Sequence, residues 1–318
     1  MSTWKGDLNK PLVTVVCMTY NHESFIRDAL HGFLIQRTTF PFRVVVHDDA
    51  STDRTTEIIK DFEVRYPAII RGVYQTENLY SRGLRARPFV EPLLLGKYIA
   101  LCEGDDYWLD ERKLQIQVEF LEKNTDCVLT CHGFLNVDHE SASVVGVGNG
   151  PRTVTRVYRN LPINMGSMEY AGKRVINGDR VSLFILKGIG KVQHISSIEP
   201  AVYRHHGKGI WSKRASIERA IEALRTRLYL ELHLAHTKQE KAWLREDIAF
   251  RLKSLRAHPE YYNFNFADEL GDPFEALWVR YSRYYPRRKL LLGRFKRVVR
   301  TAINRLKMAD GSTRSEQN

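Results

Sequence analysis

The feature that most constrains the fold of this chain is an alternation between two apolar patterns in its first half. Apolar runs rich in β-branched residues are typical of buried strands, and they occur as "PLVTVVCMTYN" (11–21), "FRVVVHDD" (42–49), "IIRGVYQ" (69–75) and "KYIALCEGDD" (97–106). Apolar residues recur at helical spacing in the segments that follow, namely "SFIRDALHGFLIQ" (24–36), "STDRTTEIIKDFEVRY" (51–66) and "RKLQIQVEFLEKN" (112–124). Strands that alternate with helices predict an α/β fold with a mostly parallel central sheet flanked by helices.

Polar clusters follow three of these predicted strands. They are Tyr20, Asp48 with Asp49, and the acidic stretch 103–106. Right-handed crossovers place the carboxyl ends of parallel strands along one edge of a sheet. Ligands of open α/β sheets bind outside that edge, so we expect a binding site there.

The acidic stretch holds the carboxylates Glu103, Asp105 and Asp106 within four positions. Hard divalent cations prefer oxygen ligands, and Mg²⁺ or Mn²⁺ in proteins usually binds one or two carboxylates together with substrate phosphates. Asp105 and Asp106 therefore predict a metal–diphosphate site, and Gly104 would let the backbone come close to a ligand. The alternative is a solvated acidic turn before a helix, which we prefer for Asp110 and Glu111 because acids suit the positive end of a helix.

The second half of the chain has a different organisation. Residues 127–211 are irregular and rich in Gly, Asn and Arg, with strands predicted in "CVLTCHGF" (127–134) and "AVYRHH" (201–206) and a helix in "GDRVSLFILKGIG" (178–190). Helical patterns follow in "SIERAIEALRTRLYLELHLAH" (216–236) and "EKAWLREDIAFRLKSLRAH" (240–258). We therefore predict an α/β domain over residues 1–212 and a helical C-terminal region over 213–318.

The charge of the chain is strongly positive, with a formal net value of +12 over 318 residues. Such an excess favours an anionic partner: nucleic acid, a phosphorylated substrate or an acidic membrane. Residues 280–308 hold eleven Lys or Arg and no acid. From Leu291 onward their apolar residues fall on one helical face, which predicts a helix at an anionic membrane surface or, alternatively, a helix packed on its own domain. Nucleic acid is an unlikely partner because no nucleic-acid-binding fold signature is present.

The remaining composition predicts a cytoplasmic protein. The N-terminus is polar and unlike a signal peptide, and no window of eighteen apolar residues exists that would span a membrane. The four cysteines show no zinc spacing, so we expect four reduced thiols.

Three segments, "VTVVCMTYNHESFIRDAL" (13–30), "VVVHDDASTDRT" (44–55) and "GKYIALCEGDDYW" (96–108), resemble in order and spacing the sequence blocks of family 2 glycosyltransferases. The resemblance covers roughly residues 11–212. It implies a GT-A fold, a nucleotide-sugar donor that is UDP- or dTDP-linked, a Mn²⁺ or Mg²⁺ cofactor and inversion at the anomeric carbon.

The resemblance also implies roles for single residues. Thr19 and Tyr20 match the positions that hold the base and ribose of the donor, and Asp49 matches the carboxylate that reads the base. Asp105 matches a ribose or metal contact, and Asp106 matches a metal ligand. The first position of the acidic motif is commonly Asp, whereas this chain has Glu103.

Inverting transfer needs a general base that deprotonates the acceptor hydroxyl. In the family, an acid at the start of a helix supplies it, and Asp179 matches that position. The alternative is that Asp179 only caps the helix. His206 matches a contact to metal or diphosphate, and Lys208 is a second candidate for that contact. Arg82 is the preferred diphosphate contact among the arginines of "YSRGLRARPF" (80–89).

Three aromatic residues near the predicted site, Tyr107, Trp108 and Trp211, are candidates for stacking on the sugar or acceptor. Amphipathic aromatics also pack in cores, and the sequence does not separate the two roles.

The patterns and the resemblance together predict a metal-dependent inverting glycosyltransferase that is a peripheral membrane protein. The resemblance implies that it acts on a hydroxyl of a glycan or lipid-linked acceptor, in bacterial cell-surface polysaccharide synthesis. A sugar-phosphate nucleotidyltransferase is an alternative, but it would need a Gly-rich basic loop after the first strand, which "MTYNHESF" (18–25) lacks. A non-enzymatic basic scaffold is a second alternative. It would leave the acids Asp49, Asp105, Asp106 and Asp179 without a purpose.

Overall fold

The computed structural model describes residues 4–7, 9–207, 209, 214–261 and 264–285. The chain divides into two compact units. The first comprises Met1–Met168 and Ile176–Ala215, and the second comprises Glu169–Val175 and the chain from Ser216 onward. The second unit thus takes a short segment from within the predicted first domain. The basic segment from residue 286, together with Lys208 and Trp211, lies outside the described residues.

Among the described residues, the first unit holds every strand except those of one hairpin. Its strands are β1 (Val13–Thr19), β2 (Phe42–Asp48), β3 (Ile70–Tyr74), β4 (Tyr98–Leu101), β5 (Cys127–Cys131), β6 (Gly133–Asp138), β7 (Ser143–Asn149) and β8 (Val157–Arg159). After the hairpin β9 (Glu169–Tyr170) and β10 (Lys173–Arg174) of the second unit come β11 (Lys191–His194) and β12 (Ala201–His205) of the first. The helices of the first unit are α1 (Ile26–Leu34), α2 (Thr55–Arg65), α3 (Arg87–Val90), α4 (Lys113–Lys123) and α5 (Gly178–Ile189).

Seven of the described strands form the main sheet, in the order β11-β5-β8-β4-β1-β2-β3. The pairs of β1 with β2, of β1 with β4, of β2 with β3 and of β5 with β11 are parallel, whereas β8 runs antiparallel between β4 and β5. The prediction of a mostly parallel sheet is confirmed. The register pairs Thr19 with Asp48, so the polar residues that follow β1 and β2 leave the sheet at the same edge.

Burial explains why the strand segments read as continuous apolar runs. Six of the seven residues of β1 are buried, and only Met18 is partly exposed. A strand covered on both faces requires apolar side chains on both faces. On one side, the core of the sheet includes Val15, Val44 and Phe33 of α1, so the apolar face of α1 closes over the strands that carry the site.

A second, smaller sheet has the strand order β12-β6-β7. β12 pairs with β6 in parallel, and β7 pairs with β6 in antiparallel fashion. An isolated bridge joins Val202 of β12 to Tyr107, which follows the acidic stretch after β4. This bridge places β12 beside the carboxyl end of β4, although the two lie about a hundred residues apart in sequence.

The second unit is helical, with a core of its own. Its helices are α6 (Ser216–Tyr229), α7 (Lys238–Arg256), α8 (Phe266–Leu270) and α9 (Phe274–Tyr281). α6 and α7 confirm the helices predicted over 216–236 and 240–258. Buried residues of this core include Leu224, Leu252 and Leu277. None of the helices in the described ranges combines the length and the apolar character that crossing a bilayer requires.

Candidate active site

The loops that leave β1 and β2 are tied to each other by hydrogen bonds. Asn21, in the left-handed region with φ 54°, donates its backbone N–H to Ser51 Oγ at 2.9 Å, and its Oδ1 accepts from the backbone N–H of Thr52 at 2.8 Å. Asn tolerates this conformation better than most residues do. The two strand ends therefore form one connected wall at the carboxyl edge of the sheet.

The two acids that follow β2 have separate surroundings. Asp48 accepts from Ser51 Oγ at 2.5 Å and also from the Thr56 hydroxyl, so it ties the loop to α2. Asp49, 9% exposed, accepts from the backbone N–H groups of Leu79 at 2.8 Å and Tyr80 at 3.1 Å. Asp49 thus holds the loop after β3. A carboxylate offers about four lone pairs, so Asp49 can still accept a hydrogen bond from the base, as predicted.

Gly104 brings the acidic stretch against the end of β1. A Cβ atom built on Gly104 would lie 2.8 Å from Thr19 Oγ1 and 3.0 Å from His22 Nδ1. Because these contacts are too short for a side chain, only glycine fits at this position. We predicted that Gly104 allows approach to a ligand; the structure shows that it allows approach to Thr19 and His22.

Asp105 lies between two imidazole rings. Its Oδ2 is 2.8 Å from Nε2 of His206 and 3.7 Å from Nε2 of His22. Burial opposes ionisation of Asp105, but the hydrogen bond with His206 and the nearby His22 lower its pKa below the usual value. The structure therefore brings together two predicted site residues, Asp105 and His206, and adds His22, which the sequence analysis missed.

Within the described part of the chain, Asp106 and Glu103 are not hydrogen-bonded to an imidazole ring, and their pKa values are raised. Asp106 is 1% exposed, and its Oδ1 accepts from the backbone N–H of Arg204 at 2.9 Å, whereas its buried Oδ2 has no hydrogen-bond partner. Burial, then the charges of Asp105 and Glu103, raise the pKa of Asp106 well above its usual value. Glu103 accepts from Thr153 Oγ1 at 3.0 Å, and burial followed by the charges of Asp105 and Asp179 raises its pKa to about 7.

This donor set fits a divalent cation. Glu103, Asp105 and Asp106 each offer an oxygen, and these atoms lie within 4.8 Å of one another; His22, Asp105 and His206 form a second such group that shares Asp105. The partnerless Oδ2 of Asp106 and the repulsion among the acids are both relieved by a bound cation. Carboxylate oxygens are the donors that Mg²⁺ and Mn²⁺ take.

Asp179 lies in the first turn of α5, beyond the N-cap residue Asn177. Its side chain is 39% exposed, so solvent or a substrate can reach the carboxylate. The buried guanidinium of Arg156 donates to two backbone carbonyls, that of Asp179 at 2.9 Å and that of Pro151 at 2.5 Å. It also lies 3.8 Å from Asp179 Oδ2. The alternative that Asp179 only caps the helix is wrong, because Asn177 holds that position.

Arg204 is a second cation that the sequence analysis missed. Its guanidinium donates to the Asp105 carbonyl at 3.2 Å, forms an ion pair with Asp28 and lies 4.4 Å from the ring centre of Tyr107. A signal was available for Arg156, since a basic residue inside the apolar run "TVTRVY" (153–158) is unusual unless it is paired. Arg204 gave a weaker signal, because β12 is only partly buried.

Several predicted residues take other places. The prediction that Trp108 stacks on a sugar is wrong, because Trp108 is 2% exposed. Its Nε1 donates to the Val154 carbonyl at 2.8 Å, and its ring packs on Phe33 and under Lys113. Arg82 is exposed and pairs with Glu77. Tyr20 is 40% exposed. It stays a candidate for a donor contact, as Tyr107 stays one for the acceptor.

Replacing Glu103 with Gln should flatten the pH dependence of stability in the metal-free protein. The folded-state pKa of Glu103 is raised to about 7, so stability present below its unfolded value near 4.5 is lost as pH rises through about 7. The measurement is the thermal unfolding midpoint in EDTA from pH 5 to 8. The wild type should lose stability relative to Glu103→Gln over this range, while the exposed control Glu140→Gln should follow the wild type. Parallel curves for all three proteins would contradict the burial of a repelled carboxylate.

The comparisons with known proteins agree with this geometry. The family model described as "Glycosyl transferase family 2" matches residues 14–168. The chain is 29% identical over 311 residues to Uncharacterized protein Rv1520 of Mycobacterium tuberculosis, covering 85% of this chain and 86% of that protein. It is 29% identical over 155 residues to Putative teichuronic acid biosynthesis glycosyltransferase TuaG of Bacillus subtilis, covering 49% of this chain and 57% of that protein.

Among solved structures, S. aureus TarS 1-349 in complex with UDP-GlcNAc has a TM-score of 0.55 and 15% identity to this chain, covering 87% of this chain and 82% of TarS 1-349. That likeness concerns the fold, which is GT-A, as predicted. The matched residues include β1, β2 and β4 with the polar groups that follow them. Residues 14–168 therefore match glycosyl transferase family 2, the family that the sequence blocks resemble.

Proposed function

We propose that this chain is a metal-dependent inverting glycosyltransferase that moves a sugar from a nucleoside-diphosphate donor to an acceptor hydroxyl. The observation that carries the proposal is one cluster at the carboxyl edge of the main sheet. In it the half-buried Asp105 is hydrogen-bonded to His206 and lies beside the buried Asp106, and Asp179 lies close enough to raise the pKa of Glu103. An acidic cation site beside a reachable carboxylate supplies the two elements that inverting transfer requires.

The donor proposal rests on the walls of this edge. Thr19, whose hydroxyl is buried without a hydrogen-bond partner, Tyr20 and Asp49 would hold the base and ribose. The proposed nucleotide is UDP or dTDP; TarS 1-349, which shares the fold, was solved in complex with UDP-GlcNAc. Arg82 would have to leave Glu77 to reach the donor diphosphate.

Asp106, Asp105 and His206 would hold the Mn²⁺ or Mg²⁺ ion, and Glu103 is close enough to assist. When bound, the ion would supply Lewis-acid stabilisation of the leaving diphosphate. Arg204 supports the ligands: its backbone N–H fixes Asp106, and its guanidinium holds the carbonyl of Asp105. Positive groups set in place before charge develops usually contribute most to catalysis.

Asp179 would take the proton of the acceptor hydroxyl as that oxygen attacks the anomeric carbon. Arg156 positions it, because its two carbonyl contacts lock the start of α5 against the loop at Pro151. Since the distance of 3.8 Å from Arg156 to Asp179 Oδ2 is long for a hydrogen bond, the carboxylate keeps lone pairs for the incoming hydroxyl.

The proposed acceptor is a glycan or a lipid-linked saccharide of a bacterial cell surface. TuaG, which is 29% identical to this chain over 155 residues, carries a name that places it in teichuronic acid biosynthesis. The basic segment 286–308 would hold the enzyme at an anionic membrane surface where such acceptors lie. Its nine Lys or Arg would each contribute about 1 kcal/mol near anionic lipid.

Removing divalent cations should abolish transfer. In EDTA the rate of sugar transfer should fall about 100-fold or more, and Mn²⁺ or Mg²⁺ should restore it, because the leaving diphosphate loses its countercharge. Asp106→Asn should lose activity at any metal concentration, while Asp61→Asn, at an exposed acid of α2, should keep it. The measurement is release of nucleoside diphosphate with acceptor present. Full activity of the wild type in EDTA would refute the metal proposal.

Asp179→Asn should separate binding from chemistry. The amide cannot accept the acceptor proton, so transfer should fall about 10²- to 10⁴-fold, while the Kd for the donor, measured by calorimetry, should stay unchanged. Asp126→Asn, at an exposed acid paired with Lys191, is the matched control. A fully active Asp179→Asn variant would remove this residue as the base.

Deleting residues 286–318 should release the protein from anionic membranes. The cut spares Tyr281, which is buried in the core of the second unit. Sedimentation with vesicles of phosphatidylcholine and phosphatidylglycerol should retain the full chain at low salt and leave the truncated chain in solution. Vesicles of pure phosphatidylcholine are the control. Equal sedimentation of both proteins with anionic vesicles would contradict the membrane proposal.

A further inference from the structure

One face of the small sheet carries a row of rings that the proposed donor site does not use. Phe134 of β6 and Tyr203 and His205 of β12 lie on this face, with ring centres 6.4 Å apart for the first pair and 5.1 Å for the second. Asn136 joins the row through a 3.0 Å hydrogen bond between its Oδ1 and His205 Nε2. We call Phe134, Asn136, Tyr203 and His205 the aromatic platform.

Arg152 lies across this platform. Its guanidinium carbon is 4.4 Å from the ring centre of Tyr203 and 5.1 Å from that of Phe134. In the part of the chain that the structure describes, no carboxylate pairs with Arg152, in contrast to Arg156 and Arg204. A guanidinium fixed by ring faces keeps its N–H edge free for the two-point hydrogen bonding that carboxylate and phosphate groups accept.

The platform depends on Gly148 of β7. A Cβ atom on Gly148 would lie 2.1 Å from Cζ of Phe134, so the missing side chain lets the Phe134 ring lie over β7. Phe134 is 7% exposed and supports the platform by contact with Tyr203, whereas Tyr203 is half-buried and His205 is exposed. Asp138, the acid at the end of β6, is turned into hydrogen bonds with Ser141 and leaves Arg152 free.

The platform borders the acid cluster on the side of Asp179. Thr153, the neighbour of Arg152, donates its hydroxyl to Glu103. The Pro151 carbonyl accepts from Arg156, which also holds Asp179. Burial, then the charges of Glu103 and Asp106, raise the pKa of the Tyr203 phenol, so Tyr203 lies beside the same acids. By contrast, His22 and His206 lie on Asp105.

We propose that the aromatic platform with Arg152 is an acceptor subsite for a sugar that carries an anionic group, a carboxylate or a phosphate. The half-buried Tyr203 and the exposed His205 offer ring surface to a sugar, the buried Phe134 supports Tyr203, and Arg152 binds the anion. This inference rests on the proposed function, because it assigns Asp179 and the platform to the same acceptor. The net charge of +12 agrees with an anionic acceptor.

The test measures binding of three simple glycosides by saturation-transfer NMR titration, with no turnover required. The probes are methyl β-glucuronide, methyl β-glucoside 6-phosphate and the neutral methyl β-glucoside. The wild type should bind at least one anionic probe about tenfold more tightly than the neutral one. Arg152→Gln should remove this preference and leave the neutral probe unchanged. The probe that loses affinity distinguishes a carboxylate from a phosphate.

Arg65→Gln is the matched control, because Arg65 also stacks on two rings, Phe62 and Tyr66, but pairs with Asp61 on α2. It should bind all probes as the wild type does. Arg152→Lys, which keeps the charge without the planar fork, should fall between the wild type and Arg152→Gln.

Four outcomes would overturn the proposal: no preference of the wild type for an anionic probe, unchanged anionic binding by Arg152→Gln, an equal loss for all three probes, or weaker binding of the nucleotide donor by Arg152→Gln. The third would make Arg152 a packing residue, and the fourth would place it in the donor site. Failure of the EDTA and Asp179→Asn experiments, with anionic binding still dependent on Arg152, would remove the transferase mechanism and leave the subsite.

Discussion

The site depends on the repulsion among acids that the end of β4 forces together. Glu103, Asp105 and Asp106 lie within four positions at the end of a buried strand. Burial and like charge both disfavour their ionisation there. Groups from distant segments lie close to these acids and offset part of the repulsion: His22, His206, Arg156 and the backbone N–H of Arg204. These groups do not offset all of the repulsion, since the pKa values of Glu103 and Asp106 stay raised. A site that binds a cation requires such uncompensated negative charge.

The surrounding architecture holds these partners in place. β12 contributes Arg204 and leads into His206, and its bridge to Tyr107 fixes it beside the acids. The loop before β8 contributes Thr153, and Arg156 links that loop to the start of α5. The residues proposed to hold the donor, the cation and the acceptor proton thus belong to one compact unit, and contacts between its elements favour the fixed geometry that transfer chemistry needs.

The acid cluster of Glu103, Asp105 and Asp106 has two sides with different neighbours. His22 and His206 lie on Asp105, and Thr153 lies on Glu103. On the Glu103 side the chain places an arginine with no acidic partner in the described residues, Arg152, over two rings. A binding surface that offers both apolar area and one unpaired cation selects for ligands with both properties. Under the acceptor proposal, the residues around Glu103 select the substrate as much as the acids do.

The sequence by itself determined the α/β fold, the strand ends that carry Asp49, Asp105 and Asp106, and the helix that begins near Asp179. These follow from local periodicity and from the chemistry of short motifs. Only the tertiary structure decided which side chains face the acids, since the hydrogen bond from His206 to Asp105 spans 101 positions. It also decided that Trp108 packs in the core against Phe33, because an aromatic residue beside a site reads alike in both roles. Contacts between distant segments, which no local pattern encodes, settled both.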